Sequence, residues 1–136
     1  ILQVPLGKRD HITIFGEGYA TPDGTCLRYY IHVIDLADAH VLALDYLRRG
    51  GDSNIFNLGN GQGFSVREMI EAAKKATGRE IKVEMGQRRA GDPAQLIASS
   101  AKARKVLGWK PQYTDVEVVI STAWKWHQTH PEGYKG

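Results

Sequence analysis

Cysteine is almost missing from this chain. Its 136 residues include one, Cys26, which excludes an internal disulfide and any cysteine-based zinc site; such a residue reads as a small, buried apolar side chain. The five histidines, His11, His32, His40, His127 and His130, have no metal-type spacing, and His40, inside an apolar helical stretch, is expected in the core or just behind a site. No apolar run approaches the roughly 18 residues of a membrane span. No signal peptide is visible, and there are no repeats or low-complexity segments. The formal net charge is +3, yet the pairs Arg48-Arg49, Lys74-Lys75 and Arg88-Arg89 are scattered among acids and make no stripe of the kind that nucleic acid requires. These absences point to a solvated mixed surface, to no nucleic-acid or membrane partner, and to a cytoplasmic setting. The opening ILQVPLG has no initiator Met and begins in mid-phrase, so the expectation is an excised piece of something longer.

What is present reads as one α/β unit. Apolar residues make up 42% and charged residues 24% of the chain, ordinary values for a globular domain. HITIF (His11 to Phe15) alternates as a short strand, and a loop of turn residues, GEGYATPDGT, follows it. CLRYYIHV reads as a strand because Tyr, Ile and Val concentrate there. Asp35 to Leu47 reads as a helix stopped by Arg48, Arg49 and Gly50-Gly51. It has little polar face and should be buried on more than one side. NIFNL, Asn54 to Leu58, is a further β-type run. Ser65 and Glu68 have the spacing of a capping box before a helix to Thr77, with Val66, Met69, Ile70 and Ala73 on one stripe and Gly78 as its stop. EIKVEM, Glu80 to Met85, reads as a half-exposed strand. Ser100 caps a short helix to Leu107, and Thr114 with Glu117 repeats the capping box before a last helix. Four helices and about five short strands result.

Three stretches are candidates for chemistry. Gly59, Gly61 and Gly63 lie between a β-type run and a helix, the layout of a phosphate-binding turn. The spacing is G-x-G-x-G, however, not the dinucleotide G-x-G-x-x-G, and no Gly-Lys-Ser/Thr follows. With Ser65 already capping the helix, these glycines are expected to serve backbone geometry. RRAGDPA, Arg88 to Ala94, sets two arginines before a Gly-Asp-Pro turn, and an arginine fork matches phosphate oxygens; Asp92 there can pair with an arginine or accept from a ligand hydroxyl. In LRYYIHV, strand alternation puts Arg28, Tyr30 and His32 on one face and Tyr29, Ile31 and Val33 on the other. A cation beside an aromatic ring suits a nucleotide or sugar phosphate. Trp109, Trp124 and Trp126 read as packing residues.

At these residues a family resemblance emerges. TPDGTCLRYYIHVIDLADAHVLAL, NIFNLGNGQGFSV and RRAGDPAQLIASSAKARKVLGWKP together resemble the C-terminal part of the UDP-glucose 4-epimerases, members of the extended short-chain dehydrogenase/reductase family. The likeness runs in one register from Ile1 to Gly136, including the WKWHQTHPEGY ending. It implies an α/β fold: the UDP-sugar-binding C-terminal part, residues 1–136, without the NAD-binding Rossmann half. Family enzymes bind NAD on that half, oxidise the sugar at C4, let the keto-sugar rotate and return hydride to its other face, interconverting UDP-glucose and UDP-galactose. This chain has no dinucleotide glycine fingerprint and no Tyr-x-x-x-Lys: four residues after Tyr19, Tyr29, Tyr30, Tyr46 and Tyr113 come Asp23, Val33, Ile34, Gly50 and Glu117. Alone it is expected to be inactive and to bind no NAD.

The resemblance implies site residues at the UDP end. Arg28 and Arg89 match the two arginines that clamp the diphosphate, and Tyr30 the aromatic near it. Asp92 matches the acid that accepts from ribose hydroxyls. Phe15 and the backbone around Thr13 match the segment against which uracil lies, and Leu96 the position whose bulk helps decide whether an N-acetyl group fits. One departure is Tyr29, where the family has an acid that, if it anchors the strand, also places Arg28. The helix near Asp35 to Leu47 and the run Asn54 to Leu58 pack on or join the Rossmann sheet in the family. Here they are expected to be exposed and to drive self-association. The alternatives are a related sugar-nucleotide epimerase or decarboxylase of the UDP-N-acetylglucosamine type, or a non-catalytic basic binding module.

Overall fold

A computed structural model describes residues 1–134, and among them are five strands and four helices. Strand β1 (Ile12–Phe15) pairs in parallel with β4 (Val83–Gly86), Ile12 opposite Val83 and Phe15 opposite Gly86. A separate three-stranded sheet has β2 (Leu27–Arg28) at its centre. On one side β2 pairs antiparallel with β3 (Phe64–Ser65), and on the other in parallel with β5 (Gln95–Leu96).

The helices are α1 (Val33–Arg48), α2 (Val66–Thr77), α3 (Ala101–Leu107) and α4 (Val116–Thr129). The capping box expected at α2 is formed. The Ser65 hydroxyl accepts from the Glu68 N–H at 3.0 Å, and the Glu68 carboxylate accepts from the Ser65 N–H at 2.6 Å. Met69, Ile70 and Ala73 then join Ile14, Ile81 and Ile120 in the main core, with α2 lying along α4. A second, smaller core of Ala39, Ala103, Leu107 and Trp109 joins α1 to α3.

Several elements depart from the sequence reading. The strand expected over CLRYYIHV stops at Arg28, because the His32 ring turns back to accept from the Ile34 N–H at 3.1 Å and starts α1 at Val33. Neither Tyr30 nor His32 therefore shares a strand face with Arg28. His32 bonds Thr122 at 2.9 Å and stacks on Tyr113 with ring centroids 4.1 Å apart. Helix α1 is not enclosed: Asp35 and Ala39 are its buried residues, and His40 is exposed. Asn54 to Leu58 forms no strand, and Ile55 stands 82% exposed. At α4 the cap is Asp115, which accepts from the Glu117 N–H at 2.7 Å, so Thr114 is displaced from that role by its neighbour's carboxylate. Ser100 occupies the N-cap of α3 but instead accepts from the Arg104 guanidinium. No helix among the described residues is long and apolar enough to cross a membrane.

Candidate functional site

The glycine loop has a structural explanation. A side chain at Gly59 would come within 2.5 Å of the Ala98 carbonyl oxygen, so glycine is required where this loop passes the 97–98 segment. The capping box already uses the Ser65 and Glu68 N–H groups at the start of α2. With the Val66 N–H donating to the Cys26 carbonyl at 3.2 Å, most of the donors an anion would need there are already used.

The arginines converge elsewhere. A cavity of about 340 Å³ is lined by Thr13, Phe15, Arg28, Tyr30, Arg89 and Asp92, together with Arg9 and Val66 among others. Six of the seven residues singled out from the sequence thus share one cavity. Leu96 does not line it: it stands on β5 in register with Arg28, 52% exposed. Three arginines against one aspartate make the lining electropositive, by two charges in sum.

Asp92 organises the arginine pair. One of its carboxylate oxygens is 3.4 Å from the Arg28 guanidinium and the other 3.2 Å from Nε of Arg89. Arg28 is held further by donating to the Leu27 carbonyl at 2.8 Å and the Pro93 carbonyl at 3.0 Å. These contacts occupy three of its five N–H donors, and the others remain for a ligand. The Arg28 side chain is 23% exposed and that of Arg89 63%, so Arg28 is the fixed jaw and Arg89 the open one. The Arg89 guanidinium lies 4.2 Å above the Phe15 ring, a cation–π contact that keeps it at the cavity mouth.

The two arginines of RRAGDPA divide their work. Arg88 does not line the cavity; it covers the buried Tyr19 ring at 3.6 Å. Gly16 allows this, since a Cβ there would meet the Arg88 side chain at 2.9 Å. Burial pushes the Tyr30 hydroxyl above its ordinary pKa, with Arg28 pulling weakly the other way. It stays a neutral donor and acceptor at physiological pH.

Strand β1 contributes backbone. The Ile12 N–H donates to the Lys82 carbonyl at 2.9 Å and the Gly16 N–H to the Gly86 carbonyl at 3.0 Å. Alternation then directs the peptide groups of Thr13 and Phe15 away from β4, to the cavity side. Sequence reading missed Arg9 and Val66 in the lining. The capping box fixes Val66 at the start of α2, which is a usable signal. Arg9 is placed by the β1–β4 pairing, which nothing local announces. Among the described residues no group of three or more His, Cys, Asp or Glu side chains is set to hold a metal ion.

A protein-family model described as GDP-mannose 4,6 dehydratase matches residues 1–122. The chain belongs to this family. It is 58% identical over 134 residues to the UDP-glucose 4-epimerase of Lacticaseibacillus casei, a match covering 98% of this chain and 40% of that protein. A crystal structure of a UDP-glucose 4-epimerase, 55% identical, superposes with a TM-score of 0.95 over 99% of this chain and 41% of the other. The UDP-glucose 4-epimerase of Bifidobacterium longum, in complex with NAD+ and UDP, is 38% identical, with a TM-score of 0.87 over 98% of this chain and 39% of that one. The resemblance read from the motifs is therefore matched by relatives of that name over nearly the whole chain, and the fold is α/β as in the extended short-chain dehydrogenase/reductases. The chain spans about two fifths of the length of the curated relatives it matches.

Proposed function

We propose that the arginine-lined cavity binds the UDP moiety of a UDP-sugar, and that the chain is the C-terminal, substrate-binding part of a UDP-glucose 4-epimerase. The observation that carries this reading is the Asp92-centred pair, Arg28 and Arg89, at the mouth of one cavity with Phe15 and the open edge of β1. Arginine forks suit a diphosphate, whose two negative charges match the cavity's excess of positive charge. A uracil ring presents an N–H donor beside carbonyl acceptors, and the outward peptide groups of Thr13 and Phe15 offer the complementary pattern. Asp92 accepts from ribose hydroxyls while holding both arginines at the cavity. Leu96 lies outside the cavity, beside Arg28 in the sheet, and the resemblance assigns its bulk a part in deciding whether an N-acetyl group fits.

The relatives' name implies C4 oxidation and re-reduction, in which NAD supplies the hydride acceptor and donor. The residues present do not fit that group. The glycine loop is pressed against Ala98, and at the start of α2 the Ser65 and Glu68 N–H groups are committed to its capping box and that of Val66 to the Cys26 carbonyl. NAD binding and the chemical step are accordingly assigned to the part of the parent enzyme that this chain lacks, and the chain alone is inactive.

An NMR titration of the chain with UDP tests the reading. Saturable shifts are expected at Phe15, Arg28 and Asp92, with only weak affinity, since each ~1.4 kcal/mol of forfeited contact raises Kd about tenfold. Arg89→Ala should abolish them. A folded sample whose spectrum ignores millimolar UDP overturns a site that works in this chain.

A further inference from the structure

We propose that Asp23 is a positioning residue for this cavity: its carboxylate fixes the loop between β1 and β2, and with it the spacing of Phe15 from Arg28. The two walls of the cavity belong to different sheets, Thr13 and Phe15 to the β1–β4 pair and Arg28 to the β3–β2–β5 sheet. Among the described residues no strand ladder joins those sheets, so their separation is set by α2, which follows β3 and packs on Ile14 of β1, and by whatever ties the connecting loop down.

Asp23 does this from the β2 end of the loop. One carboxylate oxygen accepts from the Thr25 N–H at 2.9 Å and from the Thr25 hydroxyl at 2.8 Å, and the other accepts from the Ser65 hydroxyl. Ser65 is at once the cap of α2 and the β3 partner of Leu27. The carboxylate thus reaches the sheet that carries Arg28. Thr25 and Ser65 are almost wholly buried, at 0% and 2% exposure, so the donor side of the junction is shielded from water while Asp23 itself is half-buried, and bonds to an ionised acceptor are the strong kind. Burial pushes the Asp23 carboxyl up, but bonds from Ser65 and Thr25 and the charge of Arg67 outweigh it and hold it below its usual range. It stays ionised at neutral pH.

The other end of the loop is tied to Phe15. The Tyr19 N–H donates to the Gly24 carbonyl at 3.1 Å, and the Tyr19 hydroxyl lies 3.4 Å from the Phe15 carbonyl. Arg88 covers the Tyr19 ring, bringing in the segment that carries Arg89 and Asp92. Glu17 pairs with Arg67 of α2, but that pair is exposed and contributes little. Asp23, half-buried against the buried Thr25 and Ser65, is the less exposed link.

The ligand readout rests on the UDP reading, so the test has two independent arms. In the first, Kd for UDP and for uridine is measured on the full chain, wild type against Asp23→Asn. Uridine lacks the diphosphate and does not read the spacing to Arg28. The expected result is UDP binding weakened about tenfold, the size of one strong bond lost, with uridine little changed. Equal weakening of both ligands, which is what a loss of folded protein gives, or no weakening of either, overturns the proposal. In the second arm, residual dipolar couplings of the Phe15 and Arg28 amides report the relative orientation of β1 and β2 without any ligand. Couplings identical in wild type and Asp23→Asn overturn the positioning role even if wild type binds no UDP, an outcome that separately defeats the UDP reading. Should Asp23→Asn fail to fold, Thr25→Val removes one bond to the carboxylate at nearly constant shape. It should then show the same change, in the same direction and smaller.

Discussion

Along α2, Met69, Ile70, Ala72 and Ala73 are all buried, whereas along α1 the buried apolar residue is Ala39. Val33, Val41, Leu44 and Leu47 of α1 are 49% to 72% exposed. Both helices carry ample apolar surface, so hydrophobic content does not separate them. What separates them is whether this chain contains the opposing surface. α2 has one stripe and finds α4 and β1 to cover it. α1 is apolar over much of its surface and finds α3, Trp109 and the side chains of Phe56 and Leu58 on one side. It is held at its start by a polar lock instead. The buried Asp35 carboxylate accepts from the Gln112 N–H at 2.8 Å and the Tyr113 N–H at 2.9 Å, while the Trp109 indole donates to the Asp35 carbonyl at 2.8 Å.

The comparison breaks most readily on the α2 side. Ile70 is 2% exposed, and truncating it to alanine removes buried methyl groups and leaves a void that the α2–α4 contact cannot close. A loss of about 3 kcal/mol is expected, read as a lower urea midpoint with unchanged slope. On α1 a comparable effect requires the polar lock. Asp35→Asn leaves one carbonyl oxygen for two backbone donors and turns an NH2 group toward the other. About 2 kcal/mol should be lost, the cost of a buried donor left unpaired. Amide exchange should accelerate first in α1 and at Gln112 and Tyr113, with α2 still protected. If α2 opens as early as α1, the two cores form one cooperative unit and the contrast drawn here is wrong.

The same contrast explains what was legible from sequence. α2 could be read to the residue because everything that fixes it is local: the Ser65–Glu68 box, a stripe at helical spacing, and Gly78 in the left-handed conformation (φ 63°) as its stop. CLRYYIHV could not be, because its β-prone composition was overridden by the His32 ring acting as a cap and by the Tyr113 and Thr122 side chains that hold that ring. The expected enclosure of α1 was a property of apolar content, and burial depends on a neighbour that composition cannot supply. In the cavity, Arg89 and Asp92 were legible beside a rigid turn, and Arg28 and Tyr30 as a cation and an aromatic ring two residues apart in a β-prone run. The sharing of Asp92 between two arginines, the assignment of Arg88 to Tyr19, and Arg9 in the lining all depend on how separate sheets meet. Local patterning carries no information about that.

The smallest expected effect on stability is on α1's exposed face, and it sharpens the comparison most. Val41 and Leu44 are 59% and 49% exposed, so replacing both with glutamate should change the unfolding free energy by no more than about 0.5 kcal/mol each. Contiguous apolar surface of this kind associates in water, and Ile55, at 82% exposure, adds to it. Wild type should therefore show a sedimentation-average mass that rises with concentration, and Val41→Glu/Leu44→Glu should flatten that rise while leaving the urea midpoint in place. The dissociation of the two readouts is the essential point. A core residue that also drove association would move both, as Ile70→Ala must if it loosens α2. A clean wild-type monomer at high concentration would mean that α1's side chains are tolerated in water as they stand, and the bare helix would then lose its meaning as one half of a missing interface.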